Sequence, residues 1–305
     1  MRLITRADFD GLVCAVLLKE VMPISSIELC HPKDVQDGKV KVSSDDIITN
    51  LPYNPDAGMW FDHHASEIFR NEEMTFKGRF AVAPSAARVV YDYYLQQGHG
   101  DKLKKYDELL KEVDKSDAAL LSPEDVTAPK GWVLLAYLMD PRTGLGKQHD
   151  YQISNRELMN KMIEWIPTHT AEQILELPDI KPRVDRYLAD ENKFKEVLQQ
   201  HSRQDGNVVI TDLRGVETPA GNRFLIYTLF PNSNISVRVI DGKKGEFAVV
   251  AVGHSVFNRT SKTDVGDLMA KYGGGGHKGA GTCQLSYVDL DAKLTEMVAL
   301  MKQNG

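Results

Sequence analysis

The first twenty-two residues, "MRLITRADFDGLVCAVLLKEVM", constrain the fold more than any other stretch. A short strand, Leu3 to Thr5, ends in a polar turn closed by Gly11, and "LVCAVLLKEVM" continues at once as a helix with an apolar face. A strand that short needs neighbours to pair with and a layer to pack against. They follow in order. "SSIELCHP" reads as a second strand, and "DIITNL" and "GMWF" as two more, separated by the loop "PYNPDAG". "VAPSAARVVYDYYLQQ" is then a helix capped by Ser85, and "YDELLKEVDKSDAALL" a further one. This alternation predicts an α/β domain with a largely parallel sheet.

From about residue 150 to about 204 the chain is helical and charged: "ISNRELMNKMIEWI", "TAEQILEL" and the long amphipathic "RVDRYLADENKFKEVLQQHSRQ". The character then changes to β-rich segments, "NVVITDL", "RFLIYTLF", "NISVRVI" and "EFAVVAVG", before "KTDVGDLMAKYGGGGHKGAG" adds a helix running into a glycine tract. A chain of 305 residues is long enough for two cores. The expected division is a domain over 1–180, a helical connector over 181–204, and a smaller α/β domain over 205–305.

Composition narrows the function classes. No apolar run approaches the roughly 18 residues a bilayer span requires, and Arg6, Asp8 and Asp10 interrupt the start before a signal sequence could form. Cys14, Cys30 and Cys283 are odd in number and unpaired in spacing, so they read as buried thiols of a reducing, cytoplasmic protein. A formal charge of -6 argues against a long duplex nucleic acid as partner, yet suits carboxylates gathered around divalent cations.

Four stretches carry chemistry. Asp8 and Asp10 in "ADFDG" are two apart at a strand end, where same-side carboxylates would repel unless a hard cation lay between them. The same spacing suits a helix N-terminus, with Asp10 as its cap. Asp62, His63 and His64 follow "GMWF", and a carboxylate beside an imidazole is ligand chemistry for manganese, iron, cobalt or zinc. Asp114 and Asp117 share a helix face at i, i+3, which by itself is a solvated face balanced by Lys111 and Lys115. In "YGGGGHKGAGT", Gly273 to Gly276 precede His277 and Lys278, a tract able to bring backbone N–H groups close to an anion.

"DFDG", "FDHH" and "GGGGHKGAG", in that order and at these distances, resemble the DHH phosphoesterase superfamily with its DHHA1 C-terminal domain. "VAPSAARVVYDYY" is similar to that family's helix after the double His, and "NISVRVI" to its strand with a substrate-gripping Arg. The resemblance implies an α/β DHH domain holding one or two divalent cations, usually Mn²⁺, with Mg²⁺ or Co²⁺ as alternatives, and a DHHA1 domain gripping substrate across a cleft. It implies Asp8, Asp10, His63 and Asp114 as metal ligands, with Asn50 where the family places a bridging Asp. Asp62 and His64 would be catalytic, Asp62 as a ligand or orienting His63, and His64 contacting the phosphoryl group or assisting protonation. Arg238, Gly274, Gly275, Gly276 and His277 would bind substrate. Two departures stand out: the family's His before the first Asp is missing, with Arg6 near its place, and Asn50 carries no charge, although Asp45 and Asp46 lie just upstream. The implied activity is hydrolysis of a phosphoester or phosphoanhydride in a small phosphorylated molecule, nucleotide or short oligonucleotide, exopolyphosphatase-like in kind. The alternative is a nucleotide- or polyphosphate-binding module with lost catalysis. The amphipathic connector is compatible with a homodimer.

Overall fold

In the computed structural model, which describes residues 1–64, 67, 75–147 and 150–305, Arg2–Arg6 forms strand β1 and Phe9–Val21 helix α1. Ten consecutive residues of α1, Phe9 to Leu18, are buried. A helix apolar on all sides belongs inside a protein, and this one packs between β1 and later helices. Its first turn presses so closely on the end of β1 that a Cβ on Gly11 would lie 2.1 Å from the Arg6 carbonyl oxygen. Only glycine allows that approach.

The chain continues through β2 (Ser26–Cys30), α2 (Pro32–Gln36), β3 (Asp46–Thr49), β4 (Met59–Asp62) and β5 (Gly78–Phe80). These strands make one sheet in the order β2-β1-β3-β4-β5, every neighbouring pair parallel. All four residues of β3 are buried, as expected of a parallel sheet covered on both faces. Helices α3 (Ala86–Gln96), α4 (Gly100–Leu103), α5 (Asp107–Asp117), α6 (Pro123–Thr127), α7 (Gly131–Met139), α8 (Asn155–Trp165), α9 (Ala171–Leu175) and α10 (Lys181–His201) follow. Of these, α3, α4, α5 and α8 pack on α1.

The remaining elements are β6 (Ser202–Asp205), β7 (Val208–Asp212), α11 (Ile226–Leu229), β8 (Ile235–Asp241), β9 (Ala248–His254), α12 (Val265–Ala270), β10 (Gly275–His277), β11 (Ala280–Leu285) and α13 (Leu290–Gln303). They build a second sheet, ordered β10-β11-β9-β8-β7-β6, in which β7 and β8 are parallel and the other pairs antiparallel. Alternate residues Ile235, Val237 and Val239 of β8 join a core with Val265 and Met269 of α12 and Met297 and Met301 of α13. The opposite face of β8 carries Ser236, Arg238 and Ile240.

The chain divides into two compact units: Met1–Leu120 with Pro129–Pro141 and Leu145–Asp185, and Leu121–Ala128 with Arg142–Gly144 and Arg186–Gly305. One expected strand is helical. In "RFLIYTLF", Asn222 caps a helical turn by accepting from Phe224 N at 2.9 Å, and Leu225, Ile226 and Tyr227 are buried as consecutive residues rather than alternate ones. Cys14 and Cys283 are buried and Cys30 only half-buried, and none is in a disulfide. Among the described residues, no helix is long and apolar enough to cross a membrane.

Candidate metal centre

In the first sheet β1 is followed in space by β2 on one side and by β3 on the other, so the order reverses between β1 and β3. Open α/β sheets bind ligands beyond the carboxyl ends of their strands at such a point. Asp8 and Asp10 lie just past β1, Asn50 just past β3, and Asp62 closes β4 with His63 and His64 beyond it.

Asp8 and Asp10 are not a same-side strand pair. Strand β1 stops at Arg6, and Asp8, with extended backbone, is the N-cap of α1, accepting from Gly11 N at 3.0 Å. Asp10 lies in the first turn of α1 and is buried. Its Oδ2 accepts from Ala86 N at 2.9 Å and its Oδ1 from Ala87 N at 2.8 Å, so the start of α3 grips both oxygens. Ser85 is the cap of that helix, its Oγ accepting from Arg88 N at 3.0 Å. Burial nonetheless pushes the Asp10 carboxyl up to about 6; His63 and the two N–H donors oppose the rise and Asp8 adds to it.

His63 completes the group. Its Nδ1 lies 3.0 Å from the Ala83 carbonyl oxygen, which can only accept, so that nitrogen carries the proton and Nε2 presents a bare lone pair. Nε2 stands 3.8 Å from Asp10 Oδ2 and 3.2 Å from Asp117 Oδ2, yet is buried and makes no hydrogen bond. Asp10, His63 and Asp117 each offer an atom within 4.8 Å of the others. An unpartnered imidazole lone pair between two carboxylates fits a divalent cation. The Asp117 carboxyl is pushed well above its usual range, first by desolvation and then by Asp10 and Asp8.

The third member is therefore Asp117, not Asp114. Asp114 Oδ1 accepts from Ser85 Oγ at 2.6 Å, and its Oδ2 from Arg88 Nε at 3.0 Å and Nη2 at 2.6 Å. Arg88 holds Asp114 against α3, while Asp117, at the last residue of α5, turns to His63. The i, i+3 spacing puts both carboxylates on one helix face without choosing between them.

Asp62 contacts His64 rather than orienting His63, and Asp62, His63 and His64 form a second group whose ligand atoms lie within 4.8 Å of one another. Asp62 Oδ1 lies 2.8 Å from His64 Nδ1, and Asp62 Oδ2 is buried without a hydrogen-bond partner. Asn50 has φ 54°, a left-handed conformation that Asn tolerates, and donates from Nδ2 to Asp8 Oδ1 at 3.0 Å. Its Oδ1 is buried and unpartnered. Arg6 Nε forms an ion pair with Asp8 Oδ2 at 2.8 Å. Asp46 lies at the other end of β3, where Arg2 binds it at 2.9 and 2.7 Å.

In the second unit, Arg238 lies on the face of β8 away from the core, flanked by Thr211 of β7 and Ala251 of β9. Burial pushes the nearby Tyr227 hydroxyl up to about 12, with Ser236, Arg223 and Arg238 pulling against it. Arg223 is thus a second cation close to this face, in a segment whose composition suggests a strand and hides the residue's place at a helix start. The second half of the glycine tract, Gly275 and Gly276, lies in strand β10. A Cβ on Gly274 would lie 2.1 Å from Thr282 O, and one on Gly276 2.3 Å from Ala280 O, so these two are bare because β11 is so close. A Cβ on Gly275 would meet nothing within 4 Å. His277 pairs with Ala280 and is exposed.

No protein-family model matches the chain, and no curated protein does. Solved structures do. The pGpG-specific phosphodiesterase PggH from Vibrio cholerae is 43% identical, with 100% of this chain and 99% of that one covered at a TM-score of 0.85. RecJ from Thermus thermophilus in complex with Mn²⁺ matches at 14% identity and a TM-score of 0.53, covering 99% of this chain and 52% of that one. The DHH domain of a member of the s1p family of ribosomal proteins matches at 11% identity and 0.55, covering 99% and 87%. The last two show likeness of fold alone.

Proposed function

This chain belongs to the DHH/DHHA1 phosphoesterase superfamily, and from that premise we propose that it is a divalent-metal-dependent phosphodiesterase of short oligonucleotides, with pGpG as the first substrate to test. The observation that carries the reading is the bare, buried Nε2 of His63 between the carboxylates of Asp10 and Asp117 at the sheet's switch point. Mn²⁺ is the expected ion, with Mg²⁺ or Co²⁺ as substitutes. Bound there, such an ion would polarise a phosphoryl oxygen and lower the pKa of an attacking water.

The chain's own residues supply the remainder. The N–H groups of Ala86 and Ala87 fix Asp10 in place, so little reorganisation accompanies binding or reaction. The Ala83 carbonyl oxygen keeps His63 in the ligand tautomer. Asp62 orients His64, making its imidazole the group to hand a proton to the departing ribose oxygen as water adds to phosphorus. Arg238 and His277 are the expected grips on the substrate's phosphate and sugar, and Gly275 leaves room for its close approach. On pGpG the reaction consumes one water and yields two GMP.

The test is a comparison of metal-stripped protein with and without Mn²⁺ on pGpG, other dinucleotides, pAp, cyclic dinucleotides and polyphosphate. GMP release from pGpG only with the ion present is the expected result. No turnover of any of these with any divalent ion would sink the proposal.

A further inference from the structure

A position between two cations calls for a side chain with two acceptor oxygens, and Asn50 has one. Its Nδ2–H groups face Asp8, at 3.0 Å, which commits that branch of the amide to donating. The other branch, Oδ1, is buried and accepts no hydrogen bond. Asp8, the ligand a second ion would need, already holds Gly11 N and Asn50 Nδ2 on Oδ1 and Arg6 Nε on Oδ2. A second divalent ion would have to displace a guanidinium and face an amide donor. Asp62, His63 and His64 also bring ligand atoms within 4.8 Å of one another, but that group shares His63 with the first and has Asp62 Oδ1 on His64 Nδ1, so the residues fit one ion at Asp10, His63 and Asp117 and do not fit another at Asp8.

We propose that the site works with a single divalent ion, and that Arg6, anchored on Asp8, is the fixed second cation, its Nη groups directed to the substrate's phosphoryl oxygens. Arg6 has the exposure for this, its side chain being 35% accessible, and among the described residues its ion-pair partner is Asp8. A guanidinium is always charged and offers planar paired donors that match a phosphoryl group. Its Nε is occupied by Asp8, which leaves the Nη donors for a phosphoryl group. A guanidinium supplies one positive charge where a second ion would supply two, and Asn50 carries one negative charge fewer than the Asp it replaces, so the net charge of the site is kept while the number of ions falls by one. This inference rests on the phosphodiesterase reading above and deepens it.

The direct measurement is Mn²⁺ stoichiometry of the stripped wild-type protein by equilibrium dialysis, with electron paramagnetic resonance of the loaded protein. One ion per chain with the spectrum of an isolated Mn²⁺ is expected. Two ions per chain with an exchange-coupled spectrum would overturn the inference and leave the phosphodiesterase reading intact, whereas no ion and no turnover would remove both. Arg6→Ala removes a cation beside the ion, so Mn²⁺ should bind roughly three- to tenfold tighter, while turnover of pGpG falls roughly a hundredfold or more. Loss of the charge predicts the tighter Mn²⁺ binding and loss of the phosphate contact predicts the fall in turnover, so unchanged turnover, or unchanged or weaker Mn²⁺ affinity, counts against the assignment. Arg6→Ala combined with Asn50→Asp should take up two ions, and a double variant that still takes one also overturns it. Thermal unfolding of each variant establishes that it is folded.

Discussion

Asp117 and Asp114 are chemically identical and three residues apart, and what separates them is the company each keeps. Asp117→Asn should weaken Mn²⁺ binding by roughly a hundredfold and abolish turnover, because it takes an anionic oxygen from beside His63 Nε2. Asp114→Asn should leave Mn²⁺ stoichiometry unchanged and lower stability by about 1–2 kcal/mol, through the lost charge on Arg88. Isothermal titration with Mn²⁺ and thermal unfolding distinguish the two. Asp10 adds a pH dependence. Its carboxyl is raised from 3.8 to about 6 in the folded, metal-free protein, which therefore keeps a proton that the unfolded chain has already released between those values. Where the folded state binds more protons, stability falls as pH rises. Metal-free protein should lose stability from pH 4 toward about 6, and Asp10→Asn should flatten that part of the profile. Ion and proton compete for the same oxygens, so apparent Mn²⁺ affinity should drop below about pH 6, by up to roughly tenfold per pH unit for one proton.

Helix ends and strand ends do the positioning. The N-terminus of α3 is satisfied twice, by Ser85 as its cap and by the Asp10 carboxylate on the N–H groups of Ala86 and Ala87. This ties Asp10 to the rigid start of a helix. The last residue of α5 delivers Asp117, and the end of β4 delivers Asp62, His63 and His64. In the second unit, the glycine tract separates into two physical roles. Gly276→Ala would drive a methyl group into the backbone of β11, and should cost roughly 2–4 kcal/mol or unpair β10. Gly275→Ala meets open space, so stability should change by less than about 0.5 kcal/mol. If that space admits substrate, the same variant should raise KM for pGpG severalfold with Mn²⁺ stoichiometry unchanged. Denaturant unfolding and steady-state kinetics on the two variants give the contrast.

At the scale of the whole molecule, the group of Asp10, His63 and Asp117 and Arg238 belong to different compact units. Arg238→Ala should therefore leave Mn²⁺ affinity as it is and raise KM for pGpG by roughly tenfold or more, the loss of a charge-assisted phosphate contact. A fall in metal affinity in this variant would remove Arg238 from the substrate role. Much of this organisation was legible in the chain's order of residues. Short apolar runs alternating with helical periodicity dictate a parallel α/β sheet, and polar residues at strand ends must gather at one edge of it, so "ADFDG" and "FDHH" were bound to meet. The cap at Ser85 was legible for the same reason: it depends on a neighbour three residues away. "RFLIYTLF" misled because so short an apolar run has no period to read, and the side-chain cap from Asn222 settles it as helix. What only tertiary structure decided are the choices made by residues distant in sequence. Arg88 on one helix takes Asp114 on another and leaves Asp117 for His63. Arg6 and Asn50, at the ends of different strands, both close on Asp8. Sequence pattern determines which side chains reach the sheet's edge, because periodicity and capping act over a turn or two. Which of them pair with each other is set by distances of a few ångströms between separate elements, and those exist only once the chain has packed.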